Sequence, residues 1–100
     1  LRVVGTADGG RPATPRRLAA RRDTDTRNAL ITWEPVRGAV GYNVRWGIAP
    51  TKLYQTYQVW ADAPPRLELR ALTVGQSYWV AIESFDDSGV SALSKPVALP

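Results

Sequence analysis

The sequence predicts an all-β fold: an antiparallel sandwich or barrel of about seven short strands. Three observations carry that expectation. Apolar residues recur with period two from Asn28 onward. Turn residues break the pattern at a spacing of roughly 8–12 residues. No apolar stripe at i, i+3, i+4, i+7 lasts long enough for a helix.

The elements follow in order. Residues 1–14, LRVVGTADGGRPAT, are punctuated by Gly5, Gly9, Gly10 and Pro12 and read as a linker or N-terminal arm. Residues 15–100 form the domain. Pro15 to Ala20 is a first short strand anchored by Leu18, and Arg21 to Arg27 is a polar loop. In ALITW, Ala29, Ile31 and Trp33 share one face, and Glu34-Pro35 ends the strand because proline cannot donate to a ladder. After the turn at Gly38 to Gly41, Tyr42, Val44 and Trp46 alternate with Asn43, Arg45 and Gly47. Leu53 to Trp60 is rich in β-formers, and Leu67 and Leu69 alternate with Glu68 and Arg70. Tyr78, Val80, Ile82 and Ser84 alternate with Trp79, Ala81, Glu83 and Phe85. Asp86-Asp87-Ser88-Gly89 is a hairpin signal, and Ser91 to Leu99 is the last strand.

Composition narrows the chemistry. The 100 residues are 44% hydrophobic and 22% charged, a globular balance. With no Cys and no His, the chain lacks a thiol nucleophile, the commonest general base and the commonest metal ligands. No catalytic, cofactor-binding or metal-binding residue is expected, and no cofactor. No apolar run of about 18 residues exists, so no membrane span is expected. No basic-then-apolar stretch opens the chain, so no signal peptide is expected in it, and the start at Leu1 suggests a piece of a longer protein. The net charge of +4 is uneven: residues 1–27 hold seven arginines against three aspartates, while residues 28–100 hold six cations and six anions.

The residues resemble a fibronectin type III domain. Pro15 and Leu18 are similar to the P-x-x-L opening of strand A, and Trp33 with Glu34-Pro35 to a tightened W-x-x-P ending of strand B. Tyr42 and Val44 resemble the strand C pair. LTVGQSY, with Leu72, Gly75 and Tyr78, resembles L-x-P-G-T-x-Y, with Val74 in the proline place. Gly89-x-Ser91-x-x-Ser94-x-Pro96-Val97 resembles the start of strand G. The resemblance spans residues 15–100. It implies a seven-stranded immunoglobulin-like sandwich with sheets ABE and GFCC′, with Leu18, Trp33, Tyr42, Leu72 and Tyr78 as core markers. Tyr78 is expected as a tyrosine corner, its hydroxyl bonded to backbone just upstream.

A narrower likeness lies in residues 41–60, 67–72 and 78–91, with Gly47-x-Ala49-Pro50-x-Lys52-Leu53-Tyr54 as its most distinctive part. These resemble the C-terminal module of bacterial family 43 glycoside hydrolases, the xylosidase and arabinofuranosidase group. The resemblance implies a non-catalytic accessory module of a secreted enzyme, extracellular or periplasmic, monomeric in isolation. It would space or stabilise a neighbouring catalytic domain of the same polypeptide. The alternatives are a carbohydrate-binding module touching plant polysaccharide and an extracellular adhesion module.

Glu34, Glu68 and Glu83 read as solubilising surface charge, since a sandwich this small offers no cleft for paired carboxylates. Asp23-Thr24-Asp25 and Asp86-Asp87-Ser88-Gly89 lack calcium-loop spacing and read as turns. PRRLAARR could attract phosphates, but no nucleic-acid motif accompanies it, so no nucleic-acid partner is expected. Strand parity sends Trp33, Tyr42, Trp46 and Tyr78 inward and Trp79 outward. Arg45 should lie beside Trp79, with Tyr54 or Trp60 beyond. That strip reads as a cation–π ladder covering the sheet, a docking face for a neighbouring domain, or a platform for sugar rings.

Overall fold

The computed structural model describes residues 11–100; residues 1–10, most of the expected arm, lie outside the described residues. The strands are β1 (Arg16–Arg22), β2 (Ala29–Glu34), β3 (Gly41–Gly47), β4 (Gln55–Trp60), β5 (Arg66–Leu69), β6 (Tyr78–Asp86), β7 (Gly89–Val90) and β8 (Val97–Leu99). Among the described residues there is no helix. One sheet runs β1-β2-β5; the other runs β4-β3-β6, with β7 and β8 both paired to β6. Every pairing is antiparallel. These are the expected sheets ABE and GFCC′, with strand G divided into β7 and β8.

Period-two alternation produces the core. Ile31 of β2, Val44 of β3, Val80 and Ile82 of β6 and Leu99 of β8 are wholly buried between the sheets. Trp33 and Tyr42 meet there at 5.4 Å between ring centroids, and Leu72 closes one end. Leu18, Trp46 and Tyr78 pack against this cluster from its rim, half-buried rather than enclosed. Two tyrosine hydroxyls clamp loops. Thr73 N–H donates to Tyr78 Oη at 2.8 Å, the corner expected from the sequence, and Val36 N–H donates to Tyr42 Oη at 2.9 Å.

Strand G departs from expectation. Residues 91–96 form no ladder. Serine hydroxyls replace the missing backbone acceptors: Ser84 N–H donates to Ser91 Oγ and Ile82 N–H to Ser94 Oγ, both at 2.9 Å. Pro96 could not have donated in any case. Residues 13 and 14 run alongside this segment, where Ser84 Oγ donates to the Ala13 carbonyl and Thr14 Oγ1 to that of Ala92. Arg11, Ala13 and Thr14, at the end of the stretch read as a linker or arm, are thus bonded to the sandwich, Arg11 Nε donating to the Val90 carbonyl.

β1 extends to Arg22 and contains a bulge between Arg16 and Ala19, at which Arg17 takes φ 58°. Its arginines are partly structural. Arg16 and Arg17 each reach Glu34 at 3.6 Å. Arg22 donates to the carbonyls of Thr26, Thr73, Gln76 and Pro100, and its guanidinium carbon lies 5.3 Å from the Tyr78 ring centroid. In the β1–β2 loop Arg27 donates to both Asp25 oxygens, at 3.0 and 2.8 Å. Those bonds hold the Asp25 carboxyl at about 2, below its ordinary 3.8, and raise Arg27 in turn.

Candidate interaction face

Registers around β3 lay out the outer face of the larger sheet as rows across the strands. At one end Val90, Phe85, Gly41 and Trp60 align across β7, β6, β3 and β4. Gly41 is required there: a Cβ at that position would stand 2.5 Å from Phe85 Cζ, so only glycine lets the ring lie flat. Trp60 meets Phe85 edge-on, with centroids 6.0 Å apart and planes at 75°. Trp60 stays 54% exposed and Val90 43%, so the row is an apolar strip open to solvent.

The next row is polar. Glu83 Oε2 accepts from Asn43 Nδ2 and from Arg45 Nη2, each at 2.8 Å. Glu83 is only 8% exposed and is therefore not the solubilising surface charge expected of it. The carboxylate tolerates burial because two donors, one of them charged, converge on one oxygen. Arg45 is thereby committed to Glu83 instead of to an aromatic ring.

Trp79 sits at the opposite end. It faces outward by parity, but it is half-buried. Its partner on β3 is Gly47, and Arg45 lies opposite Ala81. The β3–β4 loop folds back over Gly47, where a Cβ would fall on the Lys52 carbonyl oxygen. Tyr54 precedes β4 and is 79% exposed. It borders a depression of about 350 Å³ that is also lined by Arg45, Glu83, Leu53 and Leu93.

The four residues named from the sequence therefore do not form one strip. Arg45 joins Glu83 and Asn43, Tyr54 walls the depression beside them, and Trp60 and Trp79 stand at opposite ends. The distance along six residues of strand is roughly 20 Å. Alternation put Glu83 and Phe85 on the same face as Trp79, but sequence reasoning did not count them, or Val90, among the interaction residues. Glycine at 41 and 47, where the pattern put a residue on the outer face, was the available signal of close approach.

Two antiparallel sheets in this order define a fibronectin type III-like sandwich, and solved structures of that kind are similar to most of the chain. A fibronectin type III-like protein from Clostridium thermocellum matches with a TM-score of 0.79 at 22% identity, over 89% of this chain and 92% of that one. The FN1–FN3 domains of chicken CNTN1 match with a TM-score of 0.74 at 20% identity, over 84% of this chain and 28% of that one. The fn3 domain of human contactin 1 matches with a TM-score of 0.73 at 17% identity, over 85% of this chain and 73% of that one. No protein-family model and no curated protein matches the sequence. At these identities the likeness is one of fold.

Proposed function

We propose that the chain is a non-catalytic accessory module that docks on a neighbouring domain through the outer face of its larger sheet. The observation that carries this reading is the Val90–Phe85–Trp60 row, an apolar strip left in solvent beside the buried Glu83 carboxylate and its two half-buried donors. Contiguous exposed apolar surface on a small module favours contact with a partner. The likeness of residues 41–60, 67–72 and 78–91 to the C-terminal module of bacterial family 43 glycoside hydrolases supplies the context. In that context the module belongs to a secreted enzyme acting on plant hemicellulose, outside the cytoplasm, and is monomeric when dilute. Tethering raises the effective concentration of the two domains, so a weak contact suffices to stabilise both.

The test is calorimetric titration of the chain against the separately expressed catalytic domain of its parent polypeptide. Saturable binding is expected, weakened about tenfold by Trp60→Ser, the loss of one interface anchor. Absence of heat at the highest concentrations, or indifference to Trp60→Ser, counts against docking by this face.

A second reading, sugar binding, is favoured by Tyr54, a nearly free ring beside the Arg45–Glu83 pair. Affinity electrophoresis in arabinoxylan separates the two. Retardation abolished by Tyr54→Ala selects sugar binding; unretarded migration removes it.

A further inference from the structure

The edges of the two sheets are not protected alike. β1 carries Arg16, Arg17, Arg21 and Arg22 and a bulge. β5 has only four residues, includes Arg66 and Glu68, and follows Pro64-Pro65. The β7–β8 edge is interrupted by residues 91–96, with Lys95 and Pro96 in the gap. Each is a device that discourages another strand from adding to a sheet. β4 has none of them. QTYQVW is six residues long, uncharged and free of proline, keeps regular register with β3, and has five exposed positions. Among the described residues no strand pairs with its outer side.

With Tyr54, the residue just before β4, added, the segment is complementary to itself when reversed. Tyr54, Tyr57 and Trp60 stand three residues apart, symmetric about Tyr57, and are 79%, 55% and 54% exposed. We propose that a second copy of this chain pairs antiparallel with β4 about a two-fold axis at Tyr57, joining two five-stranded sheets into one. Residues opposite each other in an antiparallel pair point to the same face. Tyr57 then meets Tyr57 of the second copy on the core-side face. On the outer face Trp60 meets Tyr54 of the second copy, once at each end. Cross-strand aromatic pairs stabilise a ladder, and like charges opposite each other would oppose it; β4 contributes no charge. One strand pair buries less than the roughly 1,200 Å² of a standard interface, so the dimer is weak and the dilute chain is monomeric. This inference does not rest on the docking reading: it is argued from the free edge of β4 and tested at Tyr57, which takes no part in the docking row, although Trp60 belongs to both surfaces.

Sedimentation equilibrium of the full chain, from about 10 μM to about 1 mM, tests it over the range where a weak interface fills. The average mass should climb from monomer toward dimer. Tyr57→Lys places two ammonium groups across the axis and should weaken association about tenfold or more, with the thermal midpoint reporting an intact fold. A second readout stands if that variant does not fold. The chain has no Cys, so Tyr57→Cys should cross-link to a disulfide dimer under mild oxidation, well ahead of Gln58→Cys. A monomer at every concentration, with Tyr57→Cys uncross-linked, overturns the proposal and leaves the edge to a strand from another protein. A dimer indifferent to Tyr57→Lys, or Gln58→Cys cross-linking first, overturns it equally.

Discussion

Tyr78 acts through one oxygen atom. Its ring packs on the rim of the core while its hydroxyl accepts the Thr73 N–H. Tyr78→Phe keeps the ring and loses the acceptor, at an expected cost of about 1 kcal/mol. An unchanged urea midpoint would contradict that role. Asp25 works by charge at the surface. Its carboxyl is held at about 2 by the Arg27 hydrogen bonds, below the ordinary 3.8. The ionised form is thus favoured in the folded state. Its contribution is complete above the ordinary value and disappears as pH falls through the folded one. In Arg27→Gln the Asp25 titration followed by NMR should return toward 3.8. Arg22 shows what a composition count hides: a residue counted as part of a basic cluster ties together four backbone carbonyls, one from the β1–β2 loop, two from the β5–β6 loop and that of Pro100.

At the scale of elements, the divided strand G depends on serine chemistry. Ile82 is wholly buried, and its N–H has Ser94 Oγ as partner. Ser94→Ala strands that donor and should cost about 1–3 kcal/mol, read as a lower thermal midpoint. A change within about 0.5 kcal/mol, typical of neutral surface substitutions, would mean that water replaces the hydroxyl. The pairing of β3 with β6 has a similar dependence across strands. Glu83→Gln removes the charge that holds Arg45 while keeping an acceptor for Asn43, and is expected to cost about 2 kcal/mol, since Arg45 remains partly solvated. The strands themselves were legible because alternation is written between immediate neighbours. Their ends were less so: β4 begins at Gln55 rather than Leu53, and β1 runs on to Arg22, because pairing partners rather than propensity set those limits.

The whole molecule is dominated by contacts between residues distant in sequence, as when Leu99 of β8 pairs with Tyr78 of β6. Such a topology folds slowly, in milliseconds to seconds, which stopped-flow tryptophan fluorescence should show; microsecond folding would contradict the topology argument. The all-β class, the shared face of Ala29, Ile31 and Trp33 and the hairpin at Asp86 to Gly89 were legible from side-chain alternation and turn chemistry, which act over a few residues. The two-sheet order and the tyrosine corner were legible only through the likeness to fibronectin type III domains. Tertiary structure decided which outward side chains remain wet. Trp79 lost exposure, Glu83 was buried on Arg45, and Phe85 and Val90 joined Trp60. Solvent access on a sheet face depends on cross-strand register and on loops that fold back over it, and both are set by residues far away along the chain.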